Sequence, residues 1–183
     1  MEIKATLQKP YTEAQRMDFI VQYNHTLGYE IRETAEALEA WGETAEEKLQ
    51  EAKQVKYEEA SMKANNYLQG GEALFEFEEG KHIEATDGNI AKLGLSLINF
   101  ILTQDTESTI PWNTKEDENV ELNSAQLSVI VDGLKTVQAI VWTIKFPYYL
   151  QLIEEAETVE EVEAIEVDYT QDIPAVEEAG EEE

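Results

Sequence analysis

Cysteine is absent from this chain of 183 residues, and histidine occurs only twice, as His25 and His82. The absence of cysteine excludes disulfides, thiolate zinc sites and cysteine nucleophiles. The two histidines are far apart in sequence and have no metal-ligand spacing, and the chain contains no HExxH motif. We therefore expect neither a metal site nor a cofactor.

Long apolar runs and basic residues are also scarce. No run approaches the roughly 20 residues that a membrane-spanning helix needs, and the N-terminal sequence has no apolar signal-peptide core. The chain has 13 Lys and Arg residues and 40 Asp and Glu residues, so its formal net charge is −27. Such a surface repels phosphate backbones and anionic lipid, which argues against binding to nucleic acid or membranes. Acidic sequence with few bulky apolar side chains at 169–183 predicts a disordered, solvated tail.

Motifs for catalysis are missing as well. The chain has no glycine-rich phosphate loop and no GxSxG elbow. With 40 acidic residues, pairs of carboxylates arise at any spacing by chance and do not indicate a glycosidase. No catalytic residue is predicted, and we expect a protein that is not an enzyme.

The residues that are present predict an α+β fold dominated by helices. Residues 1–43 should form a short strand-helix-strand piece, with a strand at 2–7, a helix capped by Thr12 and a second strand at 29–32. The second strand could pair with the first. Thr34 is a further candidate N-cap, because Ala/Glu-rich sequence follows it.

A long connector helix is predicted at 44–70, with Thr44 as its cap and Gly70-Gly71 as its end. Its side chains are mostly polar, and a helix of this kind more often bridges two parts of a protein than lies in a core. Pairing with another helix through its thin apolar line is the alternative. We place the boundary between the N-terminal and C-terminal parts at the Gly70-Gly71 step.

The C-terminal module, 71–168, is predicted to contain two β-hairpins and two or three helices. A glycine-containing turn at 78–80 and an acidic turn at 115–118 mark the hairpins. Pro147 should kink or interrupt the longest helix, and the last helix should end near Val167. The predicted N-caps of these helices are Thr86, Ser124 and Thr158.

The longest helix carries an apolar line at three-four spacing, and we select this line as a candidate interaction surface. Such a line is either the core-facing side of an amphipathic helix, which is the default, or the seam of an oligomer. Trp112 joins the candidates, because a large aromatic side chain fills either a core or an interface. The line consists of Leu127, Ile130, Leu134, Val137, Val141, Ile144 and Tyr148.

Two parts of the chain carry motifs that are similar to those of known proteins. The run KPYTEAQRMDFIVQYNH at 9–25, with the motifs at 28–34 and 38–42, resembles small proteins of tailed phages and prophages that are commonly encoded beside tail or tail-fibre genes. The C-terminal half resembles an uncharacterised domain shared by phage tail-fibre and tail-fibre-assembly-type proteins. The residues that carry the second resemblance are at 75–77, 83–87, 111–114, 119–122, 126–127 and 158–162.

The resemblance implies a non-enzymatic structural or assembly protein of a tailed phage. Its partner would be a tail or tail-fibre protein or a second copy of the chain. It would lie in the virion tail, or in the host cytoplasm during assembly. The alternative is an acidic anti-defence protein that inhibits a nuclease as a partial DNA mimic. After Lys145 the chain has 14 acids in 38 residues, or about one per 4 Å even if fully helical, which is sparse beside one charge per roughly 1.7 Å of DNA.

Overall fold

A computed structural model describes residues 1–173, and it has an α+β fold in which helices outweigh strands. The predicted fold class is therefore confirmed. The segment 174–183, which is most of the predicted acidic tail, lies outside the described residues. The strands are β1 Glu2–Gln8, β2 Glu30–Glu33, β3 Ala37–Gly42, β4 Leu74–Glu78, β5 Lys81–Glu84, β6 Ile110–Asn113 and β7 Asn119–Leu122. The helices are α1 Glu13–Ile20, α2 Ala45–Gln69, α3 Asp87–Thr103, α4 Ser124–Ile140, α5 Phe146–Glu155 and α6 Val159–Ala164.

The chain forms two compact units. Unit 1 comprises Met1–Val55 and Glu157–Glu163, and unit 2 comprises Lys56–Ala156 and the described residues from Ala164 onward. The division lies inside α2 instead of at Gly70-Gly71, because the C-terminal part of this helix supplies core residues to unit 2. These residues, spaced four apart, are Ala60, Ala64 and Leu68.

Unit 1 contains a three-stranded antiparallel sheet of order β1-β3-β2. The expected pairing of β2 with β1 is therefore wrong, because β3 lies between them. Thr34 does not cap a helix: its hydroxyl oxygen accepts hydrogen bonds from the backbone N–H groups of Glu36 at 3.3 Å and Ala37 at 3.0 Å, which closes the β2–β3 turn. Phe19 of α1 packs on the sheet against Leu38 and Ala40.

The predicted caps of α1 and α2 are both present. The Thr12 hydroxyl accepts from the backbone N–H of Gln15 at 3.2 Å, and the Gln15 side chain accepts from the Thr12 backbone at 2.9 Å. Thr44 and Glu47 make the same reciprocal pair, at 3.1 and 2.8 Å. Each pair satisfies backbone donors that have no partner within the helix. These caps explain why both helices begin where the sequence predicts.

Unit 2 contains the two predicted hairpins, β4–β5 and β6–β7. Phe75 pairs with Ile83 in the first, and Trp112 pairs with Val120 in the second. Gly80 has a φ of +72° in the first turn, a conformation that glycine adopts without a Cβ clash. The hairpins pack with α3, α4, α5 and the end of α2 around one hydrophobic core.

The long helix begins one residue earlier than predicted and passes Pro147 without ending. Asn123, not Ser124, is the N-cap, and its side-chain oxygen accepts from the backbone N–H of Gln126 at 3.0 Å. A π-helical turn at Val141–Lys145 joins α4 to α5. Because proline donates no backbone hydrogen bond and its ring clashes one turn back, the predicted interruption takes the form of this wider turn.

The end of the described chain is packed more tightly than predicted. Thr158 caps α6 as expected, accepting from the Glu161 N–H at 3.2 Å, but α6 ends at Ala164. Tyr169, assigned to the tail from the sequence, is buried in the core of unit 2 and donates a hydrogen bond from its hydroxyl to the backbone oxygen of Ala60 at 3.1 Å. The core therefore extends at least to Tyr169.

Two helical glycines provide a test of the packing of α4. A Cβ added at Gly133 would lie 2.2 Å from the Phe75 ring, whereas one added at Gly94 of α3 meets nothing within 4 Å. We expect Gly133→Ala to destabilise the protein, because overpacking costs about 1–3 kcal/mol. Gly94→Ala should stabilise it by roughly 0.5–1 kcal/mol, as alanine does in a helix interior.

Urea unfolding of both variants at low protein concentration measures these changes in the free energy of unfolding. Equal stabilisation by both substitutions would show that Phe75 moves aside at no cost.

Candidate interaction surface

The structure places most of the predicted apolar line in the protein's own core. Leu127, Ile130, Leu134 and Val141 are fully buried. Val137, Tyr148 and Trp112 are partly buried and pack against the same core, whereas Ile144 is half exposed. The line is thus the core-facing side of the helix, and its buried side chains cannot contact another chain. Spacing alone did not separate these alternatives, because both need apolar residues every three or four positions.

The π-helical turn explains why the predicted line fails beyond Val141. One extra residue in a helical turn rotates the rest of the helix by about 100°. The apolar side of the helix therefore continues at Tyr149 and Ile153, which are buried, and Ile144 turns outward. The predicted line assumed one unbroken helical period.

A different helix, α3, exposes a large apolar surface that the sequence reasoning did not single out. Its inner side carries the buried Leu93 and Phe100 and packs against α4. Four large side chains elsewhere on the helix are more than half exposed, and we call them the outer face of α3. They are Leu95 at 68%, Ile98 at 53%, Ile101 at 64% and Leu102 at 77% relative exposure.

Helical geometry places most of this surface opposite the core. At 100° per residue, Leu95, Ile98 and Leu102 share one side of the helix, about half a turn from Leu93 and Phe100. Only Asp87 and Lys92 are charged among the 17 residues of α3. A helix that is apolar all round is normally buried. That excess of apolar residues was the sequence signal for an unpaired face.

The helical stretch from Ser124 to Glu155 is 32 residues long. By length and composition it could cross a membrane, contrary to the expectation from uninterrupted apolar runs. Its inward side chains, such as Leu127 and Leu134, are buried in the core of unit 2. A core helix passes the same test, so the stretch is weak evidence for a membrane span.

A polar network joins the turn of the second hairpin to the first hairpin. The Glu116 carboxylate accepts from the backbone N–H of His82 at 3.0 Å and lies 2.8 Å from His82 Nδ1. Lys115 donates its backbone N–H to the His82 carbonyl at 2.9 Å and its ammonium to Glu84 at 2.6 Å. The His82 backbone bond is the main reason that the pKa of Glu116 is lowered to about 2.

Beside this network lies an open groove of about 510 Å³. It is lined in part by Trp112, Lys92, Asn89 and Lys115. Asn89 donates to the Glu84 carbonyl at 3.0 Å, and Lys115 is bound to Glu84 and to the Gly71 carbonyl. These polar groups are engaged in holding the two hairpins and α3 together. Within residues 1–173 no cluster of three or more His, Asp or Glu side chains could hold a metal ion.

Searches against protein-family models, curated proteins and solved structures found no match to this chain. The resemblance to tail-associated phage proteins therefore remains a prediction from the sequence motifs.

Glu116 should make the stability of the protein depend on acid pH. Its pKa is about 2 in the folded protein and about 4.3 in an unfolded chain. Its contribution is present above about pH 5 and is lost as the pH falls towards 2. Glu116→Gln should lower the free energy of unfolding at neutral pH. On acidification, that free energy should fall less in the variant than in the wild type. Urea midpoints measured between about pH 7 and 2.5 test this, and parallel losses in both proteins would contradict it.

The burial of the predicted line can be tested with two leucines of opposite exposure. Leu134 is fully buried and Leu95 is mostly exposed. We expect Leu134→Ala to cost about 2–5 kcal/mol, because it leaves a core cavity. Leu95→Ala should change the free energy of unfolding by about 0.5 kcal/mol or less. Denaturant unfolding in dilute protein measures both, and comparable losses would show that Leu95 is buried in the folded monomer.

Proposed function

We propose that this protein is a non-enzymatic structural or assembly component of a tailed phage, and that it acts through contacts with other proteins. The observation that supports this most directly is the outer face of α3. Large apolar side chains exposed side by side are typical of protein interaction sites. Exposed apolar residues scattered singly would carry no such implication.

The viral context comes from the sequence resemblance. It favours a tail or tail-fibre protein, or a second copy of the chain, as the partner. It also favours a location in the virion tail, or in the host cytoplasm during assembly. The two supports are independent, since one rests on motifs along the chain and the other on exposed side chains of α3.

An acidic anti-defence protein is the second candidate, and the net charge of −27 is what favours it. In that role, carboxylates would occupy the DNA site of a nuclease. The outer face of α3 would then have no part, because Leu95, Ile98, Ile101 and Leu102 carry no charge. The two candidates therefore predict different consequences of substitutions on this face.

The test uses a phage that encodes the chain, with the gene deleted and then supplied in trans. We expect deletion to reduce the yield of complete tails and wild-type protein to restore it. A variant with Leu95→Glu and Leu102→Glu should fail to restore assembly, because it places charge in the contact surface. The matched control, Ser128→Glu with Thr136→Glu, adds the same charge at exposed positions of α4, away from the outer face of α3, and should restore assembly.

Mass spectrometry of purified virions and tail precursors completes the experiment. Peptides of this chain should be present in one or both. Normal tails without the gene, with no peptides in either fraction, would contradict the proposal. If deletion instead made the phage sensitive to a host nuclease, the anti-defence role would be favoured.

A further inference from the structure

We infer that the outer face of α3 binds a second copy of this chain, so that two α3 helices pair across a two-fold axis. The inference rests on the proposed function, in which this face is a protein contact, and it names the partner. In such a contact both copies contribute the same patch. If residue i of one copy contacts residue j of the other, then residue j of the first copy also contacts residue i of the second.

The area of the face is sufficient for such a contact. Its four side chains are 53–77% exposed and amount to roughly 500 Å² of apolar surface, near the upper range for a single monomer patch. Two copies bury about twice that area, and neighbouring residues of α3 add to it. The total reaches the lower limit of specific interfaces, about 1,000–1,200 Å².

Charge favours an antiparallel pairing of the two helices. Two copies of net charge −27 repel each other, so they can touch closely only where the surface is neutral. From Leu93 to Thr103, α3 has no charged residue. The nearest charges along the chain are Lys92 at one end and Asp105 at the other. In an antiparallel pair centred on Ile98, Lys92 of each copy lies towards Asp105 of the other, which brings opposite charges together.

Asp105 is suited to this role, because its carboxylate is held in place and ionised. It accepts hydrogen bonds from the backbone N–H groups of Glu107 at 3.0 Å and Ser108 at 2.9 Å. Side-chain and backbone hydrogen bonds from Ser108 are the main reason that its pKa is lowered. Lys92 is exposed beside the apolar face and has an attractive partner in the Asp105 of a second copy.

Other occupants fit less well. Anionic lipid is repelled by the net charge. The chain's own residues 174–183 contain five Glu and no apolar side chain larger than valine or proline. They offer little apolar surface to cover four large side chains. A helix of another protein fits the apolar face, but it does not account for the opposite charges of Lys92 and Asp105 on either side of the uncharged stretch.

Sedimentation equilibrium of the full chain tests the inference. We expect the wild type to shift from monomer towards dimer between about 1 and 200 µM, a range that brackets micromolar affinity. The Leu95→Glu and Leu102→Glu double variant should be monomeric with unchanged circular dichroism. The Ser128→Glu and Thr136→Glu control, which carries the same added charge on α4, should associate as the wild type does. A wild type that is monomeric throughout overturns the inference, as does a double variant that still dimerises.

A second measurement uses the absence of cysteine from the chain. Ile98→Cys lies at the centre of the inferred antiparallel contact, so mild oxidation should link two copies through a disulfide. Ser128→Cys, exposed on α4, should cross-link far less. Equal cross-linking of the two variants overturns the placement of the contact. The virion experiment can still succeed with a monomeric protein, so failure of this inference is distinguishable from failure of the proposed function.

Discussion

The hydrophobic core that α4 shares with the two hairpins is the interaction on which unit 2 depends. Leu127 and Leu134 are fully buried in one core with Ile83 of β5 and Leu122 of β7. Burial of each such side chain contributes about 1.5–3 kcal/mol, whereas an isolated two-stranded hairpin is at best marginally stable in water. Apolar side chains of both hairpins share this core with the helix, and Glu116 and His82 join the turn of the second hairpin to β5 of the first. The exposed face of α3 is presented on a framework that this core makes rigid.

Elements set by local interactions could be predicted from the sequence, and elements set by tertiary contacts could not. The caps at Thr12 and Thr44 and the turn at Gly80 involve partners within a few residues, so their signals are complete in a short window. The strand β3 was missed because its Ala/Glu-rich sequence favours a helix, while pairing on both edges makes it a strand. The candidate site was assigned to the line through Leu134, since apolar spacing does not show which neighbour covers it. The composition of α3 shows an excess of apolar residues, but the residues of its outer face could be assigned only once its other side was seen to be buried.

The uneven distribution of charge restricts which surfaces of this protein can contact other proteins. An excess of 27 negative charges makes most approaches between acidic molecules unfavourable. A neutral helix face is the place where apolar contact is opposed least by that repulsion. Electrostatics then acts mainly on orientation and on the choice of partner, and the apolar side chains supply the attraction. The negative charge that discourages binding to nucleic acid thus also limits which proteins can contact the neutral face.

The π-helical turn before Pro147 fixes the helical phase of all later residues in the same helix. Because of this turn, Tyr149 points inward, where its hydroxyl donates to the Asp168 carbonyl at 2.7 Å and its ring lies 5.3 Å from the ring of Tyr169. The position of Tyr169, the last core residue among those that the structure describes, therefore depends on the number of residues in a turn more than twenty positions earlier. Deleting one residue from Val141–Lys145 would restore a regular helix and rotate Tyr149 by about 100°. In this segment the number of residues, and not only their identity, determines which side chains point into the core.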